Sequence, residues 1–215
     1  MGGVASEAGA GVLTVVAALY VAKGGCYYGL PDVEPWGLPD RDAMLYAGPH
    51  PVVAHPPCAR WCRLAGLVEA RWGHKRGDDG WTFAAALASV RQWGGVLEHP
   101  AYSDAWLAHG LLDPGAEGWT AAGDGGWVCH VEQGHYGHRA RKATWLYACG
   151  VASLPSLAWG RSDATAHLSR CGNHGIPYSD PTLRLTDKHA SATPPAFRDL
   201  LLSIARSVRQ DRRTA

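Results

Sequence analysis

A chain of 215 residues holds one substantial core and falls short of two domains of ordinary size, so a single domain over 1–215 is expected. Its 47% hydrophobic and 18% charged residues exclude a chain disordered throughout, and its net charge of +1 lacks the strong basic excess usual in nucleic-acid-binding domains. Six cysteines form no dense disulfide framework, and the apolar run 11–22 has no charged leader and is too short to span a bilayer, which together predict a reduced, cytoplasmic protein.

In chain order, residues 12–21 are rich in β-branched types and read as a first buried strand. Gly24-Gly25 breaks it, and a Pro/Gly-rich connection follows to Pro49 with no helix. Residues 52–55 are the second strand, ending in a Pro-Pro turn. Trp81, Ala84, Ala85 and Ala88 fall at helical spacing and predict a helix from about 80 to 93, capped by Asp78 or Asp79. Gly94-Gly95 stops that helix and residues 96–98 begin a strand, so 52–98 is a β-α-β unit with parallel strands. Residues 127–132 and 143–148 are two further strands. Residues 150–190 show no sustained period and suit a small recognition segment, and 197–208 form a C-terminal helix with Pro near its first turn. The fold class expected is α/β, a mixed, mostly parallel sheet flanked by helices.

Two basic groups stand out. Residues 59–76 carry Arg60, Arg63, Arg71, Lys75 and Arg76 against Glu69 alone, a face suited to phosphate; Arg206, Arg209, Arg212 and Arg213 close the chain. Cys58-x-x-x-Cys62, Cys129-His130 with His135 and His138, and Cys171-x-x-His174 have the residue types of a zinc site, but no second standard pair completes one, and no metal is assigned.

Three segments carry the chemistry: Val52-Val53-Ala54-His55-Pro56-Pro57-Cys58, Val96-Leu97-Glu98-His99-Pro100, and His138-Arg139-Ala140-Arg141-Lys142. The parallel β-α-β unit puts Cys58 and Glu98 at the carboxyl ends of neighbouring strands, where open α/β sheets hold their ligands. In this order the segments resemble the motifs of DNA cytosine-5 methyltransferases, in a compact, phage-type form with a His-Pro-Pro-Cys strand. The resemblance covers about 51–150, and more faintly Ser191-Ala192-Thr193-Pro194-Pro195-Ala196-Phe197. It implies a Rossmann-like methyltransferase fold, with Cys58 as nucleophile at C6 of a pyrimidine, Glu98 binding and protonating the base, and Arg139 and Arg141 orienting it. Pro57, Arg60, His99, Gln133 and His138 would contact the substrate, DNA would be the partner, and S-adenosylmethionine would lie near Gly24, Gly25, Tyr27, Asp32 and Thr193.

The chain departs from the family pattern where the cofactor should bind. Ala22-Lys23-Gly24-Gly25-Cys26-Tyr27-Tyr28-Gly29 replaces the family's glycine-rich loop, and a helix and an acidic strand are missing before the nucleophile. Weak or absent binding of S-adenosylmethionine is therefore expected, with Lys23, Tyr27, Tyr28 and Asp32 lining a differently shaped pocket, or a partner subunit supplying the missing parts. The other readings are a catalytically degenerate nucleic-acid-binding protein, a nucleotide-level pyrimidine-modifying enzyme and a zinc-binding protein.

Overall fold

The structure, a computed structural model, describes residues 14–62, 65–168 and 183–209. Its centre is a seven-stranded sheet: β1 (Val16–Leu19), β2 (Val33–Trp36), β3 (Val52–Ala54), β4 (Gly95–Pro100), β5 (Thr120–Ala121), β6 (Trp127–Glu132) and β7 (Ala143–Cys149), in the order β2-β1-β3-β4-β7-β6-β5. The first four are mutually parallel. The other three pairings are antiparallel, so the sheet is mixed, parallel through its core strands β2-β1-β3-β4 and antiparallel beyond them. The reason is the short link between β6 and β7, a 3-10 turn (Gln133–Tyr136) and a few more residues, which allows the antiparallel return but is too short for a parallel crossover.

Period-two alternation sorts each strand between two cores. Ala17, Leu19, Val52, Ala54, Leu97 and Tyr147 pack with Phe83, Ala86, Leu87 and Val90 of α2 (Thr82–Trp93). Val16, Ala18, Val53, Val96, Leu146 and Ala148 meet Phe197, Leu201, Leu202 and Ile204 of a C-terminal helix, Pro195–Arg206. The result is a helix–sheet–helix sandwich. The expected β-α-β unit is present, with β3 and β4 in parallel register from Val52↔Gly95 to Ala54↔Leu97. Gly95 is required there: at φ 126°, a Cβ would overlap the Val52 carbonyl. Asp79 caps α2 from outside, its carboxylate accepting from the amides of Trp81 and Phe83, the Thr82 hydroxyl and the Trp61 indole.

Several boundaries differ from expectation. The first strand ends at Leu19 because Tyr20 turns into the left-handed region at φ 60°. The connection to Pro49 is not featureless: it holds β2 and a 3-10 turn at Ala43–Leu45. Pro35 hides β2 in the sequence, since proline argues against a strand except at a sheet edge, which is where β2 lies. Two short helices, α1 (Ala65–Trp72) and α3 (Asp104–Ala108), lie before and after that unit's helix and second strand. A further helical turn, α4 (Asp187–Ser191), precedes the C-terminal helix, α5. Among the described residues, no helix is long and apolar enough to cross a membrane.

Candidate active site

The sheet order reverses beside β1: the chain runs from β1 out to β2, then returns to place β3 on the other side. Crevices at such switch points, outside the carboxyl ends of parallel strands, are where open α/β sheets take ligands. A cavity of about 660 Å³ opens there. Its walls include residues 20–22 and 25–27 after β1, residues 55–58 after β3, Glu98 and Pro100 of β4, residues 142–144 entering β7, and residues 188 and 190–193 around α4. Antiparallel β7 brings its amino end to the same edge as the carboxyl end of β4.

Cys58 and Glu98 share this cavity, as the β-α-β geometry requires. The Cys58 thiol is half-buried and its pKa is raised, first by burial and then by Cys62 and Glu98; Lys142 pulls the other way. Neither Arg60 nor a helix amino-terminus is placed to activate the thiol. Arg60 is not among the lining residues, and α1 begins seven positions further on. The thiol of the free protein is therefore a poor nucleophile, and a bound substrate or Lys142 has to favour the thiolate.

Glu98 is held from both sides. His55 Nδ1 lies 2.9 Å from Oε2, and Gln133 Nε2 donates to Oε1 at 3.1 Å. Burial works to raise the Glu98 carboxyl, but the hydrogen bond from His55 and the charge of that ring whenever it is protonated, with Lys142 and His99 behind them, outweigh it and leave the pKa below the ordinary value. Glu98 is thus a carboxylate that can only accept. The shell continues outward: Tyr27 places its hydroxyl 2.8 Å from His55 Nε2, and Gln133 also donates to Thr144 Oγ1, which donates to the Lys142 carbonyl.

Among the described residues two cations stand at the cavity wall, Lys188 and Lys142, and the one that acts on both Cys58 and Glu98 is Lys142. Its backbone sits at φ 46°, and its ammonium donates to the Ser191 and Ala192 carbonyls at 3.0 and 2.7 Å, tying β7 to α4. Burial lowers its pKa, an effect only partly countered by Glu98, Cys58 and Cys26. Arg139 and Arg141, the cations assigned from the sequence, do not line the cavity. Arg139 is exposed, and its carbonyl accepts from Ala166; the Arg141 Nε is buried without a partner among the described residues.

The remaining assignments divide. Pro57 lines the cavity, and Gln133 reaches it only through Glu98. His99 points to the other face of the sheet, buried against Phe83 and Trp106, so it cannot contact substrate. Burial pushes its pKa down to about 4. His138 is also structural: Nδ1 pairs with the Ala140 backbone and Nε2 meets the His189 carbonyl. Gly25, Tyr27 and Thr193 line the cavity and Gly24 does not. Asp32 lies at the opposite edge, its carbonyl accepting from Val16 at the start of β1. Lys23 pairs with Asp40 on the surface, and Tyr28 packs into the core beside α5. An acidic residue does stand on β2, Glu34, but it is engaged by Arg41 and the Trp36 indole and does not line the cavity. Glu98 is the one carboxylate among the described lining residues, so the β1 side offers none to a ribose, and the residues present do not fit S-adenosylmethionine in the usual manner.

The sequence gives no direct sign of the roles of His55 and Lys142. His55 was legible in principle, since it alternates with Ala54 and must share a face with Val53 at the strand end. Among the described residues no group of three His, Cys, Asp or Glu side chains could hold a metal ion. Cys171 and His174 lie outside the described residues. No family model, curated protein or solved structure matches the chain.

Proposed function

We propose that the protein modifies a pyrimidine base, cytosine in DNA, at C5 through a covalent adduct with Cys58. The observation that carries this reading is the shared cavity of Cys58, Glu98 and Lys142 at the sheet's switch point. A parallel β2-β1-β3-β4 half-sheet with its ligand crevice between β1 and β3 also supports a Rossmann-like, methyltransferase-type fold. The cavity is large enough for a base extruded from the stack. An acceptor-only carboxylate suits the exocyclic amino group of cytosine, which a uracil or thymine lacks.

In this mechanism the Cys58 thiol gives its proton to solvent and the thiolate adds to C6, moving electron density onto C5. Glu98 accepts from the amino edge of the ring, and Lys142 stabilises charge in place of the two arginines. C5 then takes an electrophilic group from a donor, whose leaving group departs with the bonding electron pair; water takes the C5 proton, and elimination returns the thiolate. The donor is left unassigned, since the β1 side of the cavity offers no carboxylate to the ribose of S-adenosylmethionine.

The test needs no donor. If C5 captures a deuteron in D2O, loss of its original proton on elimination exchanges the position isotopically. We expect loss of the cytosine H5 signal in single-stranded or duplex oligonucleotides incubated with the protein, and none with Cys58→Ser. Exchange in deoxycytidine but not in DNA would favour a nucleotide-level enzyme. No exchange in any of them would overturn the reading.

A further inference from the structure

We propose that His55 is a positioning residue that holds Glu98 as an ionised acceptor aimed into the cavity, with Tyr27 fixing which imidazole nitrogen carries the proton. The proposal deepens the reading above, since it rests on Glu98 being the group that meets the base.

The argument starts at Tyr27. Its side chain is almost wholly buried and its hydroxyl is kept protonated by that burial, so it has one proton to donate and His55 Nε2 at 2.8 Å to receive it. An imidazole that accepts at Nε2 carries its proton on Nδ1. Nδ1 faces Glu98 Oε2 at 2.9 Å, where only a donor is useful. Gln133 is oriented by the same logic: turning its amide would set a carbonyl against the carboxylate. Two donors from separate elements therefore fix the Glu98 rotamer and leave its remaining lone pairs for a ligand. His55 and Glu98 keep 13% and 11% of their side-chain surfaces exposed, so the pair borders the cavity without being flooded by water.

The charged and titratable groups around Glu98 are His55 and Cys58 just after β3, Tyr27 from the loop after β1 and Lys142 just before β7, with His99 on its own strand but on the opposite face. Of these, His55 alone donates a hydrogen bond to the carboxylate. Removing it leaves burial to dominate, and the carboxyl pKa rises.

Carbon-13 NMR of glutamate-labelled full-length protein tests this directly, with Glu98→Gln assigning the signal. In His55→Ala the Glu98 midpoint should rise by at least about one pH unit, a tenfold gain in proton affinity. His55→Asn, whose side-chain amide can donate from near the Nδ1 position, should recover most of the shift. An unchanged midpoint in His55→Ala would overturn the proposal. Should that variant fail to fold, imidazole nitrogen-15 shifts of the unmodified protein decide instead: above the ordinary imidazole titration range, a proton on Nδ1 supports the assignment and one on Nε2 refutes it. In the deuterium-exchange assay the acid limb should move upward with the NMR midpoint. A wild-type protein that shows the NMR shift but exchanges no cytosine keeps the positioning role and loses the pyrimidine reading.

Discussion

Glu98 and His99 are adjacent in sequence and face opposite sides of the sheet, one into the cavity and the other into the core beneath α2. The same alternation that sets the acid at the site buries a titratable ring where it cannot be protonated without cost. His99 has a folded pKa of about 4 against an ordinary 6.5. With the folded value depressed, the unfolded chain binds more protons between the two, so stability is full above 6.5 and falls as pH drops toward 4. The loss is about 3 kcal/mol. Urea denaturation at several pH values should show that slope in the native protein and a smaller one in His99→Leu.

Asp79 makes the converse prediction. Burial tends to raise its carboxyl, but bonds from the Trp61 indole, the Phe83 amide, the Thr82 hydroxyl and the Trp81 amide outweigh it and lower the pKa. Its contribution is present above the ordinary carboxylate pKa and disappears as pH falls through the depressed folded value. At neutral pH Asp79→Ala should cost about 1–2 kcal/mol, the range for a lost helix cap, measured as a shift in the urea midpoint with an unchanged slope.

Cys58 and Lys142 should be separable from the arginines. Cys58→Ser should abolish hydrogen exchange at C5, a loss of about 10³-fold or more, with its circular dichroism unchanged. Lys142→Met removes the cation that opposes the raised thiol pKa, so exchange should fall by about 10²-fold and alkylation of Cys58 should require higher pH. Arg139→Ala should stay within a few-fold of the native rate, because that side chain is exposed and outside the cavity wall. Equal losses at Lys142 and Arg139 would contradict the placement.

The legible part of this protein was its local periodicity. The β-α-β unit, the Asp79 cap and the convergence of Cys58 with Glu98 all follow from spacing over fewer than fifty residues. What misled was resemblance read past its geometry. Arg139-Ala140-Arg141 matched a motif, yet the turn into β7 at φ 46° delivers Lys142 to the wall. His99 was assigned to substrate from its neighbour in sequence, although a strand sends neighbours to opposite faces. Pro35 hides the edge strand β2 in the sequence, and without that strand nothing shows that Asp32 lies at the opposite end of β1 from the cavity.

β2 lies parallel beside β1 and supplies a strand that the sequence does not reveal. It brings no acid to the cavity, since Glu34 is drawn to Arg41 and Trp36. The turn after β1 leads through Gly25, Cys26 and Tyr27 into β2 with no described helix between them, so no helix amino-terminus faces the cavity from that side. Both features that would favour an adenosyl moiety and its ribose are therefore lacking, and isothermal titration should show S-adenosylmethionine binding more weakly than about 0.1 mM. Glu34→Gln should leave that titration unchanged. Micromolar binding at unit stoichiometry, lost in Glu34→Gln, would show instead that Glu34 leaves Arg41 to meet the ribose, and methyl transfer would then become the reaction to assay.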